Sequence, residues 1–460
     1  MSNNDYDFLI PYNFKARDYQ IPFLKQVEAS INGESPIRFF YQIWHRRSGK
    51  DKTNIADVVP RRLVRDASQA KYVYPTSVMG RGHMWEMIDK DGFRFINHIP
   101  KEIRVSKPND TRMIIKVKNG SDTPSMFQVA GANDPDSLRG GNPRLAVFSE
   151  WAEHDPYTWD VIEPILREND GIAVFNTTPK GNNHARSLFE YAKDNPKWWV
   201  QTLTVDDTKV FSEEQMKSIK EDTIMRFEAE GRSEEEANAY IDQEYYCSFD
   251  APVLGSFYGS NVQKAEEEGR ITTVPYDQTV PVHTAWDLGV DDSTTVWFFQ
   301  VVGQEIHFID YYENSGEGLG HYATVLQERK YVYGKHYAPF DIGVRELGSG
   351  KSRLESAKKL GINFIVAPKL KIEDGINAVR AIFNQFWIDK TKCNRGLQAL
   401  KNYKKDWDEK NMVYRKQPLH NWASHGADAL RTMGVAFKKQ RPQPNSDPGG
   451  VKPFYDNMPA

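Results

Sequence analysis

Cysteine is nearly absent: Cys247 and Cys393 are the only two in 460 residues, far apart and in no metal-ligand spacing. That excludes a disulfide framework and fits a reducing compartment. No apolar run approaches membrane-spanning length. The opening MSNNDYDFLI also lacks a basic region followed by an apolar one, so neither secretion nor membrane insertion is expected. Basic charge is not in excess either. With a net charge of -3, any contact with nucleic acid has to come from local patches. No repeat period is found. What remains is ordinary globular material, 27% charged and 39% apolar, long enough for two or three domains with real cores.

The stretch IRFFYQIWHRRSGKDKT, from Ile37 to Thr53, organises the first half. Its apolar lead-in predicts a buried strand running into a basic, small-residue turn that ends in Gly49 and Lys50. This is the layout of a phosphate-binding loop, in which backbone N–H groups face an anion and the Lys reaches the outer phosphates. The full pattern G-x-x-x-x-G-K-[ST] is not met: Trp44 stands in place of the first Gly, and Asp51 in place of the hydroxyl. Upstream, a helix is expected from Phe14 to Glu28. It carries Gln20, whose amide offers one donor and one acceptor, as an adenine edge requires.

Strands are then expected at Lys71–Thr76, Leu145–Phe148 and Ile172–Phe175, with a hairpin from Met113 to Val129 turning at Asn119 and Gly120. The two later strands end in polar residues, Ser149 and Glu150 in one case and Asn176, Thr177, Thr178, Pro179, Lys180 and Gly181 in the other. Strands of this kind with helices between them predict a parallel α/β sheet with its ligand at the strand ends. There Glu150 is placed to activate a water against a γ-phosphate while Lys50 stabilises the developing charge. Arg139, in the turn Asp136–Gly141, either inserts beside that phosphate or pairs with Asp134 or Asp136. From Trp198 to Leu203 a last strand is expected, followed by a Glu-rich helical stretch from Ser212 to Tyr246.

The second half opens on a strand ending in Asp287, with two more strands at Thr294–Val301 and Glu305–Tyr311. A helix follows near His321–Glu328, then a strand at Tyr337–Phe340 leading into Asp341. Helices at Ser352–Leu360, Ile372–Ile388 and Ala423–Ala436, with a strand at Asn363–Val366, complete the element order of a ribonuclease H-like fold. In that fold the first and fourth strands are neighbours, bringing Asp287 to Asp341, and the last helix adds Asp428. Three converging carboxylates demand cations, so two Mg²⁺ or Mn²⁺ are expected. Clustered Lys351, Arg353, Lys358, Lys359, Lys369, Lys371, Lys401, Lys404, Lys405, Lys410, Arg415 and Lys416 are candidates for phosphate contacts that read no sequence.

Gln20, the loop Arg46–Lys50, the segment Ser137–Gly140, the strand ending in Glu150 and the turn Thr177–Gly181 resemble, in order, motifs of tailed-bacteriophage terminase large subunits. They look like that family's adenine-binding Gln, deviant Walker A loop, arginine-finger region, Walker B strand and coupling motif. Asp287, Asp341 and Asp428, the last in His425–Leu430, resemble its nuclease acids, although Phe340 stands where the family often has His. Ser149 departs from the Asp that the family places beside the catalytic Glu to hold Mg²⁺. The resemblance implies ATP bound by Gln20, Arg46, Arg47, Ser48, Gly49, Lys50 and Asp51, with Mg²⁺ helped by Ser149. Thr177, Thr178 and Pro179 would couple hydrolysis to motion.

The expected parse is a P-loop ATPase domain at 1–205, a helical linker at 206–262, a ribonuclease H-like nuclease at 263–437 and a disordered tail at 438–460. The resemblance implies double-stranded DNA, a portal protein and a small terminase subunit as partners. It also implies a homo-oligomeric ring on the portal, monomeric in solution, in the host cytoplasm and transiently docked on the procapsid. Two other classes fit parts of the pattern: a cellular helicase-nuclease, and a DNA-binding scaffold with a decayed ATP site.

Overall fold

The structure, a computed structural model, describes residues 10–230, 232–250, 255–289, 293–344, 352–408 and 413–437. Asp291, Asp292, Lys351, Lys410, the side chain of Lys416, the turn at 251–254 and the tail from Lys438 lie outside the described residues. The chain divides into two compact units, Met1–Lys264 with Leu397–Ser424, and Ala265–Gly396 with His425–Ala460. Among the described residues no helix is long and apolar enough to cross a membrane.

The first unit is built on a seven-stranded sheet. Its strands are β1 (Phe39–Trp44), β2 (Gln69–Tyr74), β3 (Ile114–Val117), β4 (Ser125–Gly131), β5 (Pro143–Ser149), β6 (Ile172–Thr177) and β7 (Trp198–Leu203). They lie in the order β3-β4-β2-β5-β6-β1-β7, parallel throughout except for the antiparallel β3–β4 pair. Every residue of β1 is buried, as a strand covered on both faces of a parallel sheet must be. On one face Phe23 meets Phe40 and Trp44 edge-on, with centroids 6.0 and 5.8 Å apart. On the other, Phe148 stacks on Phe175 at 4.8 Å.

Two expectations shift in this unit. The first helix spans Ile21–Asn32, preceded by a 3-10 turn at Asp18–Gln20. Pro22 sits in its first turn, and its ring would clash with the carbonyl of Asp18 in a continuous α-helix from Phe14. The β3–β4 hairpin exists, but its connection is a longer loop, because Val117 pairs with Ser125 and Asn119 uses its side chain to brace Thr123, Ser121 and Ser125. The Glu-rich stretch is two helices, Glu213–Ala229 and Glu234–Tyr246, each opened by a serine capping box at Ser212 and Ser233.

The second unit has a mixed sheet. Its strands are β8 (Ile271–Thr272), β9 (Val282–Asp287), β10 (Thr294–Val302), β11 (Glu305–Asn314), β12 (Tyr333–Ala338), β13 (Phe364–Val366) and β14 (Phe386–Asp389). The order is β13-β12-β9-β10-β11-β14-β8. An antiparallel meander β9–β10–β11 is extended by β12, which pairs parallel with β9, and by β13 beyond it. This is the ribonuclease H-like arrangement, with its first and fourth strands adjacent. Pro339 ends β12 at Ala338, so Asp341 sits on the following 3-10 turn, Phe340–Gly343, rather than directly on the strand. The helix expected at Ile372–Ile388 stops at Ile382. Phe386 and Ile388 are buried at strand spacing, and they form β14 against β11.

Trp44, the residue that displaces the first loop Gly, is fully buried between Phe23 and Tyr19. It pins the Ile21–Asn32 helix to the end of β1. Trp44→Gly, which writes the missing Gly into the loop, is therefore expected to cost about 3–5 kcal/mol of unfolding free energy. Denaturant unfolding checks this, and a loss under about 1 kcal/mol would refute the anchoring role.

Candidate functional site

The end of β1 turns through His45–Gly49 into a helix at Lys50–Thr53, which continues through one π-helical turn, Asn54–Val58. Arg47 (φ 69°) and Gly49 (φ 84°) take left-handed backbone conformations. A Cβ on Gly49 would also sit 3.3 Å from Gln20 Nε2, so both backbone and space favour glycine there. The Ser48 carbonyl accepts hydrogen bonds from the Tyr19 hydroxyl at 2.8 Å and from Gln20 Nε2 at 3.3 Å. Gln20 Oε1 accepts from the Arg17 N–H at 3.0 Å. Gln20 thus braces the loop from behind, and the Ser48 hydroxyl is buried in it without a partner.

Lys50 is nearly buried and connects three strand ends. Its Nζ donates to Thr178 Oγ1 at 2.8 Å, just past β6, and lies 3.4 Å from Glu150 Oε1, just past β5. Glu150 has φ 56°, a strained value for a residue with a side chain, of the sort that persists where surrounding structure holds it in place. The Glu150 N–H donates to Asn176 Oδ1 at 3.3 Å. The Asp51 carboxylate receives the hydroxyls of Ser149 and Tyr72, each at 2.7 Å, and Asn176 Nδ2 at 3.0 Å. Thr177 is buried, and its hydroxyl accepts from the Ala152 N–H. Pro179 follows Thr178 and leads into Lys180.

Behind the loop lies a charge relay. Glu244, 3% exposed on the Glu234–Tyr246 helix, takes Lys180 Nζ at 2.6 Å and stands 3.6 Å from Arg46 Nη1, while its carbonyl accepts from the Arg46 N–H. Burial opposes charge on Lys180, but Glu244, Glu153 and Glu150 overcome it and hold the ammonium above its ordinary pKa. Burial likewise opposes charge on Glu153, yet Lys404 and Lys180 hold its carboxyl at about 2. Lys404 donates to Glu153 at 2.6 Å, so it is an ion-pair partner in the first unit rather than a free phosphate contact. Arg139 does not point to the loop among these contacts. It is exposed and bound to Asp136 Oδ1 at 2.7 Å and to the Tyr157 hydroxyl at 2.8 Å. A cavity of about 650 Å³ lies beneath that segment, lined by Lys71, Ser77, Arg81 and Leu138 among others, and Lys71 fastens the segment through the Leu138 and Gly140 carbonyls.

In the second unit Asp287 ends β9 and Asp341 follows β12 at the same edge of the sheet. The last helix, Trp422–Ala436, is fixed there by Thr295 and Trp297, which donate to the His425 and Gly426 carbonyls at 2.9 and 2.8 Å. His425 Nδ1 lies 3.5 Å from Asp287 Oδ2, and Arg431 lies 3.3 Å from Asp428. An all-carboxylate donor set suits a hard cation such as Mg²⁺ or Mn²⁺. Among the described residues, however, no group of three or more His, Cys, Asp or Glu side chains is drawn together closely enough to hold a metal.

Over 345 residues, 72% of each chain, the sequence is 23% identical to the terminase large subunit of Escherichia phage T5. The chain is thus similar in sequence to a phage terminase large subunit. No family model matches it. Its fold is similar to the large terminase of a thermophilic bacteriophage in complex with ADP, with 14% identity and a TM-score of 0.39 over 89% of this chain and 97% of that one. It is also similar to the large terminase ATPase domain of Thermus phage P74-26, with 18% identity and a TM-score of 0.40 over 54% of this chain and 99% of that one.

The geometry adds residues that the motifs did not single out. Asn176 links Glu150 to Asp51, and its only sequence signal is an amide closing an apolar strand. Tyr72 lies in mid-strand, where alternation predicts only core. Glu244 was hidden among many exposed glutamates. His154 holds the end of β5 through the Ser149 carbonyl at 2.9 Å. Burial, ahead of every other influence, lowers both His45 and His154 from 6.5 to about 4.

The unfolded chain takes up these two protons near pH 6.5, while the folded one resists them until about 4. The unfolded state therefore binds more protons in that window, and stability is expected to fall as pH drops from about 6.5 to about 4. Urea midpoints measured across the window should decline, less steeply in His154→Gln. An equal slope in that variant would refute the assignment to His154.

Proposed function

We propose that this chain is the motor and nuclease subunit of a phage genome-packaging machine, hydrolysing ATP to move double-stranded DNA into a procapsid and cutting concatemeric DNA. Residues 1–205 act as the ATPase, 206–262 as the linker and 263–437 as the nuclease. The observation that carries the first activity is the convergence of Lys50, Glu150 and Thr178 beyond three parallel strand ends. The relation to the phage T5 large subunit supports it.

In this mechanism the backbone of Arg46–Gly49 and the Lys50 ammonium bind the nucleotide phosphates, and Gln20 borders the adenine side. Lys50 neutralises charge on the transferring phosphoryl group, while the Glu150 carboxylate orients a water and accepts its proton. Mg²⁺ bound at Asp51 and Ser149 would supply further charge neutralisation on the phosphates. Thr178, already bonded to Lys50, passes the change at the phosphates along Thr177, Pro179 and Lys180. Arg139 completes the site of a neighbouring subunit, which requires it to leave Asp136.

In the nuclease, Asp287, Asp341 and Asp428 are the residues that would hold two Mg²⁺ or Mn²⁺ ions, which would supply water activation and leaving-group stabilisation. Basic side chains such as Lys358, Lys359 and Lys371 track phosphates. The working form is a ring on the portal, with a small terminase subunit selecting DNA, monomers in solution, and the host cytoplasm as the place of action.

Lys50→Ala and Glu150→Ala are each expected to cut procapsid-stimulated ATP hydrolysis by at least ~100-fold. Normal hydrolysis in Glu150→Ala would falsify its water-orienting role. Asp287→Ala and Asp428→Ala are expected to abolish Mn²⁺-dependent plasmid cleavage, and unchanged cleavage in either removes that residue from the metal site.

A further inference from the structure

We infer that the cation-holding carboxylate of this ATPase site has changed sides: Asp51, on the loop helix, supplies it, and Ser149, at the end of β5, supplies the hydroxyl. The inference rests on the proposal that the Lys50 loop binds ATP. In phosphate-loop enzymes Mg²⁺ is ordinarily held by a Ser or Thr hydroxyl directly after the loop Lys and by an Asp at the end of the neighbouring strand. Here the two residue types are interchanged, and the inventory of one hydroxyl and one carboxylate, with a single negative charge, is unchanged.

The two positions are also in contact, Ser149 Oγ donating to Asp51 Oδ1 at 2.7 Å. Either residue can therefore present its oxygen to the same small volume. Glu150 is spared by the exchange and keeps its place 3.4 Å from Lys50 Nζ.

The way Asp51 is held argues for a ligand and against a merely structural acid. Ser149, Tyr72 and Asn176 all donate to Oδ1, and none of these bonds falls on Oδ2. A carboxylate oriented through one oxygen and open at the other is what supporting hydrogen bonds achieve around a metal ligand. The fully buried Tyr74 hydroxyl also lies within reach of Ser149 and Asp51, so the carboxylate is held in a cluster of buried hydroxyls rather than by one partner.

The test uses the full chain and reads Mg²⁺-dependence of binding of a fluorescent ADP analogue, with Mn²⁺ retention in the ADP complex followed by electron paramagnetic resonance. Asp51→Asn keeps the acceptor for all three donors and removes only the charge. It is expected to lose the Mg²⁺ enhancement of nucleotide affinity by ~10-fold or more while keeping metal-free binding. Asp51→Thr is expected to do the same, and Ser149→Asp added to it is expected to restore both Mg²⁺ enhancement and Mn²⁺ retention. A wild-type Mg²⁺ response in Asp51→Asn overturns the exchange alone, as does a folded double variant no better than Asp51→Thr. Failure of the wild-type chain to bind nucleotide with or without Mg²⁺ overturns the ATPase proposal, and the exchange with it.

Discussion

A row of buried polar side chains across the parallel sheet governs the first unit. Ser149 on β5 is in register with Asn176 on β6, and Asn176 with Gln42 on β1. All three are fully buried in strands that are otherwise apolar. Neighbours in parallel register point to the same face, so the row presents one hydroxyl and two amides to a single helix. That helix answers with Asp51 for Ser149 and Asn176, and with Asn54 for Gln42 at 2.8 Å. Buried polar groups left unpaired cost on the order of 1–3 kcal/mol each. The row therefore fixes how the loop helix lies on the sheet, and Lys50, one residue before Asp51, is delivered to Glu150 and Thr178 as a consequence.

The same constraint explains the route away from the loop. Lys180 follows the strand-end threonines directly, and its partner Glu244 also receives Arg46 from the phosphate loop. One nearly buried carboxylate is thus shared by the loop that would hold phosphate and the turn that would respond to it. A shift of either cation changes the field at the other, because a buried acid cannot exchange its partners for water without a desolvation cost. The sharing acid belongs to the Glu234–Tyr246 helix, so that helix is tied by ion pairs both to the loop and to the turn after β6.

Much of this was legible in the sequence, for identifiable reasons. Strands buried on both faces show as apolar runs ending in polar residues, so β1, β5 and β6 and the residues beyond them were readable. The meander of the second unit was readable for the same reason. Other features depended on neighbours distant in sequence. Phe386–Asp389 has both helical and strand spacing over so few residues, and only β11 decides it. Trp44 read only as a residue in place of the first loop Gly, and its place between Phe23 and Tyr19 comes from the fold. Asp51 and Ser149 read as two departures from the motif pattern, each still near Mg²⁺, and spacing along the chain does not show that they touch. Lys404 was a candidate phosphate contact, and Glu153, remote in sequence, gives it a different task. Arg139 was read with two possible partners, and the structure holds it on Asp136.

Topology also explains why Asp287 and the turn bearing Asp341, so remote in sequence, stand at the same end of the second sheet. Parallel pairing of β9 with β12 sets both C-terminal ends on one side, so Asp287 and the turn bearing Asp341 are neighbours whatever lies between them. Antiparallel pairing of β9 with β10 places Thr295 directly opposite Asp287. The Thr295 hydroxyl takes the His425 carbonyl, and the Trp297 indole two residues on takes that of Gly426. These two bonds fix the start of the last helix, which bears Asp428 one turn along, against β10. In this arrangement Asp287 faces His425 and Asp428 faces Arg431, so each of these two acids has a cationic or protonatable neighbour at the edge. Like charges gathered in a small volume repel unless something positive lies among them. Arg431 supplies such a charge beside Asp428, and His425 supplies one beside Asp287 only when protonated.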